Sequence, residues 1–297
     1  MKFTLYNDVK DFHADVFDVL AVKEAQNLII LGNLMVGYEG KDTFGWRDPA
    51  AWVMAAVRDS IQDGGEVRLV ALMTPPFGMT LYAVDGAGGH VPPLRCLIDG
   101  LIAAGINVPG VMTEKSLAQD FADIYCDIKG LGQHIETSLR IYELYSVNPA
   151  IATTNTFRLA AERDMAFLPY WVEAFNAEAT NTATSVDADI EKYRYQLSQD
   201  RLHMLEVDGM AVAMAKINRE FMGTAGIALV YTPPYFRGRG YATEVVARLS
   251  QKWLDKGFVR CVLYTDLANP TSNSIYQKIG YTPIADSLDI RFKEEVK

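Results

Sequence analysis

Tyr235-Phe236-Arg237-Gly238-Arg239-Gly240-Tyr241-Ala242 is the stretch that decides how the chain is read. Upstream of it, Gly226–Tyr231 is apolar and strand-like, and Pro233-Pro234 ends the strand. Downstream, Ala242, Val245, Val246, Leu249 and Trp253 recur at i, i+3, i+4, i+7 and i+11. That is one apolar stripe, with Glu244, Arg248, Lys252 and Asp255 mostly elsewhere, and it predicts a helix. Lys256-Gly257 suits the helix end, with a basic residue and a glycine for the C-cap. Val259–Asp266 then reads as a largely apolar strand. Strand, helix and strand in this order make a βαβ unit, with parallel strands and a right-handed crossover.

A glycine pair just ahead of a helix has a physical use. Gly238 and Gly240 tolerate positive φ and place no Cβ in the way of a ligand. The first N–H groups of the helix have no partner within it, and the helix dipole adds positive potential. Such a nest suits a phosphate or diphosphate, and Arg237 and Arg239 add charge. The plain alternative is a flexible basic loop. The stretch is no P-loop, because GxxxxGK[ST] is absent, and no dinucleotide fingerprint, because Gly238-Arg239-Gly240 leads to Tyr241-Ala242-Thr243.

Next along the chain, Asp266-Leu267-Ala268-Asn269-Pro270 ends a strand and starts a helix through Ile275, Tyr276 and Ile279, which Gly280 caps. Asn269 is a good N-cap and Pro270 sits where a helix tolerates it. Taken singly, Asn269 would only cap and Tyr276 would only pack. Taken together, the two segments resemble the GNAT superfamily of N-acetyltransferases over about residues 156–292. Arg237-Gly238-Arg239-Gly240-Tyr241-Ala242 matches that family's acyl-CoA diphosphate loop, [Q/R]-x-x-G-x-[G/A]. Asn269 to Tyr276, followed by Gln277-Lys278-Ile279-Gly280-Tyr281, looks like its later motif of an Asn, a helix with a Tyr, and Gly-Phe/Tyr.

The resemblance implies an α/β fold (α+β, mixed sheet) of the acyl-CoA N-acyltransferase type and acetyl-CoA as co-substrate. It implies backbone N–H groups from Arg237, Gly238, Arg239, Gly240, Tyr241 and Ala242 for the CoA diphosphate. The strand end at Val230, Tyr231 and Thr232 would border the pantetheine arm, with an N–H near Val230 polarising the thioester carbonyl. Asn269 and Ser272 would hold the pantetheine, and Tyr276 would protonate the leaving thiolate. The chemistry agrees: an acceptor amine of pKa about 10 must lose a proton before attack, while a thiol of pKa about 8.5 leaves tolerably. Direct attack in a ternary complex needs no covalent enzyme intermediate. The strand Gly226–Tyr231 carries no Glu or Asp to act as base. Asp266, Glu173 and Tyr231 are the candidates, beside a water relay; the plain alternatives are that Asp266 ends a strand and Glu173 is a solvated helix charge.

Working outward, 297 residues allow two domains. The segment Ser146–Asn155 is small, polar and holds Pro149, and reads as a linker. The expected division is residues 1–147, a degenerate GNAT-like domain, and residues 148–297, the catalytic one. Each half shows helices, a hairpin, helix–strand–helix and a closing strand, so two tandem copies of one fold are expected. In the first half the expectation is helical over Asp15–Gly37 and Pro49–Ile61, a turn at Asp63-Gly64-Gly65, strands at Val67–Met73, Met79–Val84 and Val108–Met112, helices at Leu94–Ala104 and Glu114–Tyr125, and a strand at Leu139–Tyr145. In the second it is a strand at Thr156–Ala160, helical regions over Glu162–Ala179, interrupted at Pro169, and Val186–Gln199, then strands at Leu202–Val207 and Met210–Ile217 across Asp208-Gly209. Where the first half should carry its diphosphate loop it reads Gly88-Gly89-His90-Val91-Pro92-Pro93, and the two prolines remove N–H donors. No CoA diphosphate is expected there.

The net charge is -9, which speaks against nucleic acid as a partner. Residues 148–297 hold 17 basic and 18 acidic side chains, and residues 1–147 hold 11 and 19. The acid surplus of the first half reads first as a solubilising surface and second as steering for a cationic acceptor. No apolar run reaches bilayer length, the N-terminus lacks a signal-peptide core, and Cys96, Cys126 and Cys261 form no disulfide or CxxC pattern. A cytoplasmic protein without membrane association is expected. His13, His90, His134 and His203 share no metal-ligand spacing and no GxSxG exists, so neither a metal site nor a Ser-His-Asp hydrolase is expected. The leading function is an acetyl-CoA-dependent N-acetyltransferase acting on a small-molecule or peptide amine. The alternatives are a non-catalytic acyl-CoA-binding regulator and a nucleotide-binding module; a homodimer stays open.

Overall fold

Two series of elements run along the chain in the same order, β-α-α-β-β-β-α-β-α-β. The computed structural model describes residues 1–40, 48–59, 65–84, 89–179 and 190–294. The first series is β1 (Lys2–Tyr6), α1 (Val9–Ala21), α2 (Leu28–Tyr38), β2 (Val53–Arg58), β3 (Val67–Met73), β4 (Met79–Ala83), α3 (Val91–Ala103), β5 (Gly110–Glu114), α4 (Lys115–Lys129) and β6 (Leu131–Leu144). The second is β7 (Thr156–Leu159), α5 (Leu168–Ala179), α6 (Ile190–Ser198), β8 (Leu202–Val207), β9 (Met210–Phe221), β10 (Thr224–Tyr231), α7 (Tyr241–Asp255), β11 (Arg260–Asp266), α8 (Pro270–Ile279) and β12 (Thr282–Glu294). Short 3₁₀ turns flank some of these elements. This is the expected mixed α/β class.

In the first unit β1, β2, β3 and β4 pair antiparallel in chain order, and β4 runs parallel to β5. In the second, β7, β8, β9 and β10 pair antiparallel and β10 runs parallel to β11. Antiparallel neighbours joined by short turns, then one parallel crossover through a helix, is what hairpin and βαβ connections impose. Each sheet buries its inner face under helices. In the first unit, Leu69 and Ala71 of β3 pack with Leu94, Leu97 and Leu101 of α3 and with Phe121 of α4. In the second, Ala213, Ala215 and Ile217 pack with Val245, Leu249 and Trp253 of α7.

The compact units do not follow the division expected at 147/148. One comprises Met1–Arg140 together with the chain's end from Ala285, the other Ile141–Ile284. Ser287–Arg291 of β12 pair antiparallel with Gly110–Glu114 of β5, and Leu288 and Ile290 enter the first unit's core. A Cβ on Gly110 would lie 2.4 Å from the Ile290 carbonyl oxygen, so the close approach of β12 requires glycine there. Arg140 clamps Asp286 with two hydrogen bonds, at 2.7 and 2.9 Å. Conversely, Tyr142 and Leu144 of β6 are core residues of the second unit. The later part of each closing strand, from Ile141 in β6 and from Ala285 in β12, therefore belongs to the other unit, and β12 covers the edge at β5 with alternate apolar residues.

Local expectations failed where tertiary pairing overruled propensity. The expected helix Pro49–Ile61 is a 3₁₀ turn at Pro49–Ala51 and then β2, whose Met54–Val57 are all buried between β1 and β3. Alanine is a good helix former, but propensity amounts to tenths of a kcal/mol per residue, and pairing with two flanking strands outweighs it. β1 was not expected. Pro169 does not interrupt α5; it lies in its first turn, after the 3₁₀ turn Glu162–Ala166. Ile61, the Asp63-Gly64 part of the first turn, Gly88, and Val186–Asp189 of the last expected helix lie outside the described residues.

His203 on β8 is fully buried and stacked on Phe157 at 4.8 Å. Lys252 Nζ donates to its Nε2 at 2.8 Å, which requires a neutral ring. Burial first, then the Lys252 charge, pushes its pKa down to about 4. The unfolded state thus binds a proton that the folded state refuses between about pH 6.5 and 4. Urea denaturation is expected to show full stability above about pH 6.5 and a loss of up to about 3 kcal/mol as pH falls to 4, absent in His203→Gln. Separately, Ile290→Ala is expected to destabilise the first unit by about 2–4 kcal/mol in chemical denaturation. A value under about 1 kcal/mol contradicts the placement of β12 in that core.

Candidate functional site

The second unit places the informative segments around one break in its sheet. β10 pairs with β11 from Thr224↔Arg260 to Ile227↔Leu263, and no further pair follows toward Tyr231 and Asp266. On its other side β10 shifts register against β9 between Ala228↔Lys216 and Tyr231↔Met214, so three steps on β10 span two on β9. Leu229 sits at φ +53°, a left-handed conformation rare for leucine. Such a bulge takes Leu229 and Val230 out of the regular ladder and re-aims their backbone groups. Val230 is half-buried beside the gap, and the Thr232 hydroxyl is buried with no hydrogen-bond partner.

The loop after this strand has the shape its glycines predict. Gly238 and Gly240 adopt φ +77° and +82°, and the space where a Cβ would stand is open at both. Gly240 is the N-cap of α7 and brings no side-chain cap. Phe236 and Arg237 donate their N–H groups to Pro233 and Pro234, and Glu244 donates to Gly240. Among the described residues the N–H groups of Gly238, Arg239, Gly240, Tyr241 and Ala242 meet no protein acceptor. They stand at the positive end of a 15-residue helix.

The two arginines of the loop differ in a way the sequence did not show. Arg237 is already engaged: its Nε donates to the Thr232 carbonyl at 2.8 Å, and one terminal nitrogen donates to both carboxylate oxygens of Glu178 on α5, at 3.0 and 2.7 Å. It also lies over the Tyr231 ring. Arg237 thus ties the loop to α5. Arg239 is exposed above Tyr235, at 5.5 Å from the ring centre.

Asn269 caps α8, accepting from Ser272 N–H at 3.0 Å, and is itself exposed. Asp266 accepts from Ala268 N–H at 2.8 Å, which closes the turn between β11 and α8. Glu173 accepts from the Tyr193 hydroxyl at 3.0 Å. Burial first, then the Glu178 charge, raises the Tyr231 pKa, so its phenol holds its proton. Tyr276 is 7% exposed and packs in the core cluster against which Val230 and Tyr241 also lie. Burial holds its phenol well above the usual range, and no hydrogen bond occupies its hydroxyl among the described residues. Asn273, not singled out from the sequence, donates to the carbonyls of Asp266 (2.9 Å) and Asn269 (2.8 Å) and accepts from Tyr142 (3.0 Å). Its only signal was its place one turn into a capped helix.

The corresponding point of the first unit differs as expected. α3 starts with Val91-Pro92-Pro93, and its N-cap His90 is bound to Asp120 at 2.7 Å. Counted from the helix start, Pro92 and Pro93 stand where α7 has Ala242 and Thr243, so neither offers an N–H there. Among the described residues no group of His, Cys, Asp and Glu could hold a metal, and no helix is long and apolar enough to cross a membrane.

Comparison with known proteins follows this geometry. The sequence profile of the acetyltransferase (GNAT) family matches residues 168–281. Among solved structures, a GCN5-related N-acetyltransferase from Sphaerobacter thermophilus is similar at a TM-score of 0.63 and 14% identity, over 98% of this chain and 95% of that one. A GNAT-family acetyltransferase from Colwellia psychrerythraea is similar at 0.56 and 12% identity, over 99% of each chain. A Drosophila protein is similar at 0.63 and 10% identity, over 98% of each. At these identities the likeness is one of fold, and it extends over both units. No curated protein matches in sequence.

The exposed φ > 0 glycine yields the first test of the loop. Gly240→Val is expected to cost about 1–2 kcal/mol in thermal or urea unfolding, from left-handed strain alone, since nothing crowds the site.

Proposed function

We propose, with residues 168–281 as a GNAT acetyltransferase domain, that the chain is an acetyl-CoA-dependent N-acetyltransferase whose second unit carries the reaction. The observation that supports this best is the run of unpartnered amides from Gly238 to Ala242, beside the place where β10 leaves β11. Unpaired amides, an open Cβ position at each glycine and the unpartnered Thr232 hydroxyl all fit a diphosphate and a pantetheine arm. Acetyl-CoA would supply an electrophilic thioester carbon.

The chain's own groups then divide the work. Gly238 to Ala242 bind the diphosphate with backbone N–H groups rather than side chains. Arg237 positions the loop through Glu178 and Thr232. The N–H of Val230, which lies in the bulge, donates to the carbonyl oxygen where negative charge develops. Tyr276 keeps its proton through the neutral range, because burial raises its pKa, and gives it to the departing thiolate. Asn269 borders the pantetheine from the start of α8, with Ser272 behind it. Attack by the acceptor amine in a ternary complex needs only that both substrates be held in line. The first unit, with Pro92 and Pro93 at its helix start, binds no CoA.

A second reading, a non-catalytic acyl-CoA-binding regulator, draws on Asp266 and Glu173, whose carboxylates are both engaged in structural hydrogen bonds. CoA release measured across amine classes separates the two, and sustained turnover with any amine removes the regulator. Titration calorimetry is expected to show acetyl-CoA binding to the parent and at least about 100-fold weaker binding to Gly240→Asp, which sets a like charge in the nest. For Tyr276→Phe we expect kcat lower by about 10²-fold with acetyl-CoA affinity within a factor of about three. Equal turnover would remove Tyr276 from the chemistry.

A further inference from the structure

Lys216 is a charged group that the mechanism leaves unused. β9 alternates: Ala213, Ala215 and Ile217 pack on the α7 side, while Met214 packs with Leu168 and Val172 of α5 and Tyr193 of α6. Lys216 therefore points to the α5–α6 side with Met214. It stands opposite Leu202 on β8 and Ala228 on β10. Ala228 is the last residue of β10 in register before the bulge, one step past the final pair with β11. Lys216 thus lies one strand from the point where β10 and β11 part. Lys216, Ala228, Val230 and Tyr264 are all only half-buried, whereas Met214, Ile227 and Leu229 around them are buried. The floor of the sheet opens there.

The ammonium at this opening has no counterion among the described residues. Among the described residues Lys216 makes no hydrogen bond or ion pair. The charges that act on it are those of Arg201, Lys192 and Arg219, all of its own sign. Burial first, then these three, pushes its pKa down to about 8. Arg201 is itself paired with Glu220 at 2.6 Å, and Lys192 and Arg219 have partners of their own. A partly desolvated cation among cations is unfavourable until an anion joins it. The amides of residues 238–242 already provide for a diphosphate at the start of α7, on the other face of the sheet. The anion missing at Lys216 therefore belongs to the second substrate.

Resting on the acetyl-transfer reading, we propose that the acceptor is an amine that also bears an anionic group, a carboxylate or a phosphate, and that this group pairs with Lys216 at the opening beside Ala228. The neighbouring cations have partners of their own, so Lys216 would set acceptor specificity.

The test measures CoA release with paired acceptors: amino acids against their carboxamides, and amino-sugar phosphates against the free amino sugars. The carboxylate and phosphate arms tell the two anions apart. The parent is expected to favour one anionic set by about 10–100-fold in kcat/KM. Lys216→Met is expected to raise the KM of that acceptor by about 10–100-fold, with kcat and the acetyl-CoA Kd within about threefold, and Lys216→Arg to restore part of the loss. Lys216→Met removes an unpaired charge and is expected to fold at least as well as the parent. With the diphosphate loop saturated by CoA, inorganic phosphate or acetate is expected to raise the Tm of the parent but not of Lys216→Met. Equal turnover of charged and neutral acceptors overturns the proposal. So does a fall in kcat with a shifted pH profile and unchanged KM, which would make Lys216 a proton acceptor, or a weakened acetyl-CoA Kd, which would assign the anion to CoA. If no amine is turned over, the acetyl-transfer reading fails; the Tm arm still decides whether Lys216 takes an anion.

Discussion

Everything at the site depends on β10 parting from β11 just where it bulges against β9. Its ladder with β11 stops at Ile227↔Leu263, and the bulge at Leu229 breaks its register with β9. A left-handed leucine costs of the order of 1–3 kcal/mol, and it persists here because the surroundings determine it. Leu229 is buried among Leu168, Val172 and Met214, so releasing the strain would expose apolar surface. The core thus holds Leu229 and Val230 out of the regular ladder of β10.

The same economy of partners explains the helix starts. α8 begins with a side-chain cap, Asn269 to Ser272, and Asn273 and Tyr142 brace the turn from behind. α7 begins with none, and two glycines in left-handed conformations present its first amides to solvent. A helix end without caps is ordinarily a loss of stability. At α7 the loss falls where an anion would recover it. α3 in the first unit closes the question differently, with prolines that have no N–H to leave unsatisfied.

The two faces of the second unit's sheet carry different chemistry. The face under α7 and α8 is largely apolar, and the Tyr276 ring packs in it together with Val230 and Tyr241. The face under α5 and α6 brings Lys216 to an opening, and Arg237 reaches Glu178 on α5 across the loop. The unpartnered amides of residues 238–242 and the Lys216 ammonium are thereby kept on opposite faces, so an anion at one need not compete with an anion at the other.

Residues 226–280 were legible because their signals are local. An apolar stripe at helical spacing, a glycine pair before it, and an Asn-Pro helix start each depend on neighbours within a few residues. The strands β8, β9 and β10 were legible through the Asp208-Gly209 turn and alternation. β2 was not, since Val53–Arg58 reads as a helix until β1 and β3 flank it. Nor could the order of residues reveal that Leu288 and Ile290 complete the first unit while Tyr142 and Leu144 complete the second. Arg237 and Lys216 show the same limit: one arginine of RGRG is taken by Glu178, 59 residues away, and one lysine of β9 is left without a partner. Local order along the chain determines helix starts, turns and the glycine loop, because these arise from backbone geometry over a few residues. Partner choice among distant groups was decided only by the folded structure, because burial and pairing of charges exist only once the strands have met.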